Sequence, residues 1–457
     1  MSLTVVILAA GQGTRMKSAR PKVIHELAGK PILQHVVDRA RELDPSQIIV
    51  VIGHGSEQVR AAMTDSDLDF VEQREQLGTG HALLQCLDRI EEGNDVLVLV
   101  GDCPLIRTGT LTDMLERRGD SRVCVLSFFP ENPFGYGRIV RASGENVDAI
   151  VEQKDTTPAQ AEIRECNSGI LWIRGRGLGE LVRDINNDNA QREYYLTDVV
   201  ALAASVGDAV SAVACEDPSE VNGINNQLQL AEVERIYRAR WASSLMDQGV
   251  KLFDPTRIDV RGSLEVGRDV QIDVNCVFEG SVRLGDNVRI GANCVIRDTR
   301  IDSGTEILPM TSIVEAYIGK RVSIGPFARI RPGTECADEA KIGNFVELKK
   351  ASIGRGSKVN HLSYVGDTEM GERVNVGAGT ITCNYDGVNK FKTVIEDGVF
   401  VGSNTQLVAP VRVASNATIG AGSVITSDVP ADELTLSRSK QVTMRGWQRP
   451  KKQEKED

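Results

Sequence analysis

Residues 266–296 read VGRDVQ IDVNCV FEGSVR LGDNVR IGANCV I, with an apolar residue at every sixth position: Val266, Ile272, Phe278, Leu284, Ile290 and Ile296. The step shortens once to five at Ile301, returns to six through Ile307 and Ile313, and shortens again at Ile318. It then runs through Ile324, Ile330, Cys336, Ile342 and Leu348. Four residues after most of these comes a small or β-branched residue: Val270, Cys276, Val282, Val288, Cys294, Val322, Ala328, Thr334, Ala340, Val346. A single hexad cannot enclose its own apolar side chain. Stacked coils of three hexads can, at about 1.5–3 kcal/mol for each fully buried Val, Ile or Leu. The fixed period predicts a hexapeptide β-helix from about Gly262 to Thr426, and makes any interruption of it a candidate site.

The composition agrees with this reading. Hydrophobic residues are 41% of the 457, enough for sizeable cores, while aromatics are only 4%, as a narrow coil interior requires. A net charge of -11 argues against nucleic acid as the main partner, which usually meets a basic face. Nine cysteines without a C-x-x-C pair read as reduced core residues in a reducing, cytoplasmic compartment, with Cys276, Cys294 and Cys336 on inward slots. The opening MSLTVVILAAGQG has no basic leader and reads as a first strand, and no stretch is long and apolar enough to span a bilayer.

Upstream of the repeat, the chain alternates strand-like runs with helical patterns. The runs are Val5–Leu8, Ile48–Ile52, Val96–Val100, Val123–Phe128 and Ile170–Ile173; the helical patterns include Ile32–Leu43 and His81–Ile90. Such alternation predicts an α/β domain with a mostly parallel sheet and ligands beyond the carboxyl ends of its strands. Leu230, Val233, Ile236, Tyr237, Trp241 and Leu245 share one helical stripe that Gly249 ends, a linker helix at 228–249. The final KKQEKED reads as a disordered tail.

The first strand delivers the chain into Ala9-Ala10-Gly11-Gln12-Gly13-Thr14-Arg15-Met16, followed by Pro21-Lys22. Glycines let backbone amides approach phosphate, and Arg15 and Lys22 can neutralise it. The third glycine of a dinucleotide fingerprint is missing, and no G-K-[ST] follows to make a Walker loop. Asp102 ends the run Val96–Val100 after Gly101, a natural position for a Mg²⁺ ligand, although a lone turn aspartate also fits. In the repeat, Val359 and Ser363 point inward, so His361 stands at the coil surface, and Arg331 and Lys349 also fall off the inward slots. A surface histidine is commonly only solvated, but cations beside an imidazole suit an anionic ligand. The beat breaks after Thr382, where Cys383–Thr393 (CNYDGVNKFKT) form an insertion with an Asp386-Gly387 turn. Insertions of this kind often bind ligand on one face of a solenoid.

The glycine segment resembles the sugar-1-phosphate nucleotidyltransferases, whose signature is L-x-x-G-x-G-T-R-M with a downstream P-K. With the hexads, residues 3–449 resemble the bacterial family of bifunctional N-acetylglucosamine-1-phosphate uridyltransferases/glucosamine-1-phosphate N-acetyltransferases. The resemblance implies an α/β nucleotidyltransferase (Rossmann-like) domain, 1–227, followed by the linker and a left-handed parallel β-helix of hexapeptide repeats, 250–457. It implies acetyl transfer from acetyl-CoA to glucosamine 1-phosphate, then uridylyl transfer from UTP to N-acetylglucosamine 1-phosphate, with Mg²⁺ as cofactor and a homotrimeric assembly.

It also implies roles for particular residues. Arg15, Lys22 and His361 would be catalytic. The uridine nucleotide would meet Leu8, Ala9, Ala10, Gly11, Lys22, Gln73, Gly78, Thr79, Val100, Gly101 and Asp102, and the sugar would meet Gly137, Glu152 and Asn167. Asp102 and Asn225 would hold the metal. In the carboxy-terminal half, Arg331, Lys349, Tyr364 and Asn375 would surround the sugar phosphate. Acetyl-CoA would meet Ala378, Asn384, Tyr385, Ser403, Ala421 and Arg438. Gln12 departs from the lysine frequent in the family, which predicts altered phosphate affinity rather than lost function. The competing reading is a nucleotidyltransferase whose β-helix is only a scaffold; the His361 and Asn384-Tyr385 motifs count against it.

Overall fold

The computed structural model describes residues 2–141 and 146–450, so the expectation for the 451–457 tail lies outside the described residues. The chain divides into two compact units between Arg240 and Trp241.

In the first unit, strands Val210–Ala214, Val123–Phe128, Cys166–Ile173, Asp95–Val100, Leu3–Leu8, Gln47–Ile52 and Leu68–Glu72 lie side by side in that order. The strand Cys166–Ile173 runs antiparallel to both neighbours, whereas the other pairs along this path are parallel. The hairpin Arg138–Val140/Ala149–Val151 branches from it. Val5, Ile7, Leu97 and Leu99 are buried in one core and Val6, Val96 and Val98 in another, because both faces of the sheet are covered. The expected helix at His81–Ile90 is shorter and begins earlier, at Thr79–Leu84. Beyond it Cys86 N–H donates to Leu83 O and Arg89 N–H to Cys86 O, bonds of three-residue turns that tighten the backbone out of the α-helix.

The helix Gln227–Asp247 carries the stripe read from sequence. Val233 packs with Met16, Leu27 and Ile32, while Leu245 joins the core of the second unit. The division of the chain thus falls inside this helix.

The second unit is a parallel β-helix. Its strands form an 11-stranded sheet and a 15-stranded sheet whose longer strands turn a corner of the coil. Ile272 lies opposite Ile290, Ile290 opposite Ile307, Ile307 opposite Ile324, and Ile324 opposite Ile342. These coils are eighteen, seventeen, seventeen and eighteen residues long, and each five-residue step removes one residue from its coil while leaving the inward column intact. Every apolar position on the beat from Ile272 to Leu348 is buried; Val266, at the first step, is half-buried. Asparagines at coil corners, among them Asn275, Asn293, Asn404 and Asn416, take positive φ, which asparagine tolerates better than most residues.

The β-helix is longer than the expected 262–426, running from Lys251–Leu252 to Leu434–Thr435. The sixfold step back from Val260 lands on Asp254, which caps a 3₁₀ turn at Pro255–Arg257, so the first coil is hidden from the periodicity. The largest coil separates Val376 from Val401, twenty-five positions, and contains the insertion. Cys383 and Thr393 end and begin strands, so the projecting segment is 384–392.

Candidate active sites

The amino-terminal site is a cavity of about 300 Å³ at the carboxyl ends of Leu3–Leu8 and Asp95–Val100. It is lined by Leu8, Ala9, Ala10, Gly11, Lys22, Gln73, Gly78, Thr79, Val100 and Asp102, together with Val23, Gln76, Ala82 and Glu193. The glycine turn is shaped by steric need. Gly13 has φ 62°, and a Cβ there would stand 2.7 Å from Lys22 Cβ. That close approach packs the turn directly against Lys22.

Lys22 Nζ donates to Asp102 Oδ2 and, at 3.2 Å, to Asn225 Oδ1. Arg15 Nη2 donates to the same Asn225 oxygen at 2.8 Å. Ile224 N–H donates to Asp102 O at 3.0 Å, so the backbone brings the Asn225 segment to the strand end. Asp102 and Asn225, remote in sequence, thus present two hard oxygen donors that already attract a cation. That donor set fits Mg²⁺, which commonly takes one or two protein oxygens and completes its shell with water and phosphate. Among the described residues, no group of three or more His, Cys, Asp or Glu could hold a metal.

Gln73 is buried, with Nε2 donating to Gly78 O at 3.0 Å. Gly137, Glu152 and Asn167 gather beside one another. Asn167 N–H donates to Gly137 O at 2.9 Å, and Thr197 Oγ1 donates to Glu152 Oε1 at 3.2 Å. Burial pushes the Glu152 carboxyl above its ordinary value; the Thr197 hydroxyl opposes this and Asp155 and Asp198 add to it.

The carboxy-terminal candidates lie on the β-helix in columns. His361 pairs in register with Asn344 one coil before it. Gly379 N–H donates to His361 O, Asn404 N–H to Ala378 O, and Gly422 N–H to Ser403 O, while Arg438 Nη1 reaches Ala421 O at 2.9 Å. Asn344, His361, Ala378, Ser403, Ala421 and Arg438 therefore follow one corner of the prism. With roughly 4.8 Å between coils, the run from His361 to Ala421 spans about 14 Å. Asn384 and Tyr385 open the insertion on the coil between Ala378 and Ser403. Asn384 Nδ2 donates to Asp367, and the Asp386 carboxylate accepts from Val388 N–H at 2.8 Å and Asn389 N–H at 2.6 Å, forming the expected turn.

His361 is exposed, and its Nδ1 lies 2.7 Å from Asn344 Oδ1. An amide oxygen can only accept, so Nδ1 carries the proton and Nε2 is left basic. Arg331 N–H donates at 2.9 Å to the carbonyl of Leu348, the residue before Lys349 on the next coil, and Tyr364 starts the following strand of the same 15-stranded sheet. The neighbouring Lys390 ammonium, a like charge in the insertion, pulls the Lys349 ammonium below its ordinary value, with Arg331 adding to the effect. Asn375 stands apart, on the 11-stranded sheet between Lys358 and Phe400.

Residues 5–157 match the MobA-like NTP transferase domain, and residues 264–298 and 392–427 match the bacterial transferase hexapeptide (six repeats). The chain is 56% identical to Bifunctional protein GlmU of Marinobacter nauticus, over 98% of its own length and 99% of that protein. It is 53% identical to proteins of the same name from Ralstonia pickettii, over 99% of this chain and 100% of that one, and Chromobacterium violaceum, over 99% of each. The chain belongs to the GlmU family.

Within this GlmU-family chain, the structure adds neighbours that motif reading missed. Asn344 lies one coil before His361, a spacing the repeat could have supplied. Lys390 lies inside the insertion already singled out, and Gln76 three residues after Gln73. Glu193, Thr197 and Asp367 had no local signal; they come to their sites only through the folded chain. Among the described residues, no helix is long and apolar enough to cross a membrane.

Proposed function

We propose that this GlmU-family chain makes UDP-N-acetylglucosamine with two separate active sites. The β-helix unit transfers acetyl from acetyl-CoA to glucosamine 1-phosphate. The α/β unit then transfers uridylate from UTP to N-acetylglucosamine 1-phosphate and releases pyrophosphate. The observation that carries this reading is the chemical contrast between the sites: oxygens and cations with no histidine among the named catalytic groups in one, and an oriented imidazole beside cations in the other.

In uridylyl transfer the attacking sugar phosphate is already an anion, so no base is required. The difficulty is to bring anions together and to spread the negative charge that develops on the phosphates. Arg15 and Lys22 neutralise that charge, while Gln73, Gly78 and Thr79 orient the base and Gly137, Glu152 and Asn167 orient the sugar. Asp102 and Asn225 would hold Mg²⁺, which when bound supplies further charge neutralisation at the phosphates. Acetyl transfer begins from an ammonium, which has no lone pair to attack a thioester. His361 Nε2 takes its proton, the freed amine attacks the thioester carbonyl so that the C–N bond forms as the C–S bond breaks, and the departing thiolate takes up the proton that the nitrogen sheds. Asn344 holds the ring in the required tautomer, and Arg331, Lys349, Tyr364 and Asn375 bind the sugar phosphate. Ala378, Asn384, Tyr385, Ser403, Ala421 and Arg438 accept acetyl-CoA along the corner column.

A homotrimer is the proposed assembly. Met310, Phe327, Phe345 and Leu362 are each about half exposed or more, and the Phe327 and Phe345 rings stack 5.2 Å apart, an apolar surface of the kind that supports association. Nine free cysteines, eight of them buried, support a cytoplasmic location. The deciding experiment measures thiol release from acetyl-CoA with and without glucosamine 1-phosphate, and pyrophosphate release from UTP with N-acetylglucosamine 1-phosphate. Both are expected; pyrophosphate release without sugar-dependent thiol release would reduce the β-helix to a scaffold.

A further inference from the structure

Arg138 is nearly wholly enclosed, at 2% exposure, at the start of the strand Arg138–Val140. Its Nη1 donates to Tyr136 O and its Nη2 to Gln153 Oε1 at 3.0 Å, while its Nε has no partner among the described residues. The same Gln153 oxygen accepts from Gly135 N–H at 2.9 Å. One guanidinium and one side-chain amide therefore fasten residues 135–138 to the start of the 3₁₀ turn Gln153–Asp155. Between the fastened points lie Gly137 and Glu152. A Cβ on Gly137 would stand 3.3 Å from Glu152 Oε2 and 3.0 Å from Ile150 Cγ2, so the gap there has little slack.

We infer that Arg138 is a positioning residue for the sugar-phosphate substrate of uridylyl transfer, setting the spacing of Gly137 and Glu152 without touching substrate itself. The inference rests on the proposed function of this site. Arginine suits the task because a planar guanidinium fixes two acceptors at once, whereas a lysine ammonium is a single point on a flexible stem.

The test compares Arg138→Met, Arg138→Lys and Gln153→Ala in the full-length chain. Arg138→Met is expected to raise KM for N-acetylglucosamine 1-phosphate about tenfold or more, leaving KM for UTP and the acetyl-transfer rate within about twofold. Arg138→Lys should fall between it and wild type, and Gln153→Ala should show the same split at smaller size. If Arg138→Met does not fold, the half-buried Gln153→Ala reads the split instead. A sugar-phosphate KM within about twofold of wild type in the folded variants, or KM values for both substrates rising together with a lower Tm, would overturn the inference. A wild-type chain that cannot join UTP to the sugar phosphate would remove the functional reading beneath it; active wild type with unmoved variants would remove the role of Arg138 alone.

Discussion

The two units build their sites by opposite routes. In the α/β unit, the named groups come from segments far apart in sequence: Lys22 meets Asp102 and Asn225 only because three segments converge at the carboxyl end of the central strand Asp95–Val100. In the β-helix, His361, Ala378, Ser403 and Ala421 converge because the same corner recurs on each coil. A convergent site collects several kinds of group around a compact, highly charged centre. A repetitive site extends a track, which suits a long acyl carrier drawn toward one base. The proposed chemistry divides along the same line, between a nucleophile that is charged from the start and one that must lose a proton.

The most severe challenge to this contrast is Ile324→Asp. Ile324 is fully buried in the inward column, and an uncompensated carboxylate there should abolish folding of the β-helix, seen as lost solubility and lost far-UV CD of that unit. Retained CD and solubility would contradict the stacked-coil account of its stability. Asp102→Ala should lower Mg²⁺-dependent pyrophosphate release by about 10³-fold or more while acetyl transfer continues; unchanged release would take Asp102 out of the metal site. His361→Ala should reduce acetyl transfer by about 10²–10⁴-fold and spare uridylyl transfer. Equal losses in both assays would show that the two sites are not separate.

The smallest expected effect concerns pH. Burial holds the Glu152 carboxyl above its ordinary value, so the folded protein keeps that proton to higher pH than the unfolded chain does. Its contribution is therefore fully present below the ordinary glutamate pKa and is lost as pH rises through the raised folded value. Glu152→Gln should remove that loss and raise Tm by about 2 °C above this window, while weakening the sugar-phosphate KM. A Tm difference from wild type that does not change with pH would leave the burial of Glu152 without this consequence.

Periodicity exposed the β-helix because each coil must bury equivalent positions, and a burial rule repeated in space becomes a rule repeated in sequence. It hid the first coil, where Asp254 occupies the beat, for the same reason: that coil is turned by a 3₁₀ cap rather than by the hexad. The helix after Gly78 was read too long because its apolar pattern continues through Ile90 while the backbone tightens into turns. Likewise the motif G-x-G-T-R-M with P-K marked the glycine turn that packs against Lys22, since the steric demand at Gly13 acts locally.

What no local pattern contains is the partner of each group. Asn344 sets the tautomer of His361, Thr197 bonds Glu152, and Lys390 crowds Lys349. Residue type and spacing along the chain determined the coil, the glycine turn and the kinds of chemistry available. Tertiary folding decided which oxygen faces which proton, because hydrogen bonds and Coulomb interactions fall off over a few ångströms and depend on distance through space rather than distance along the chain.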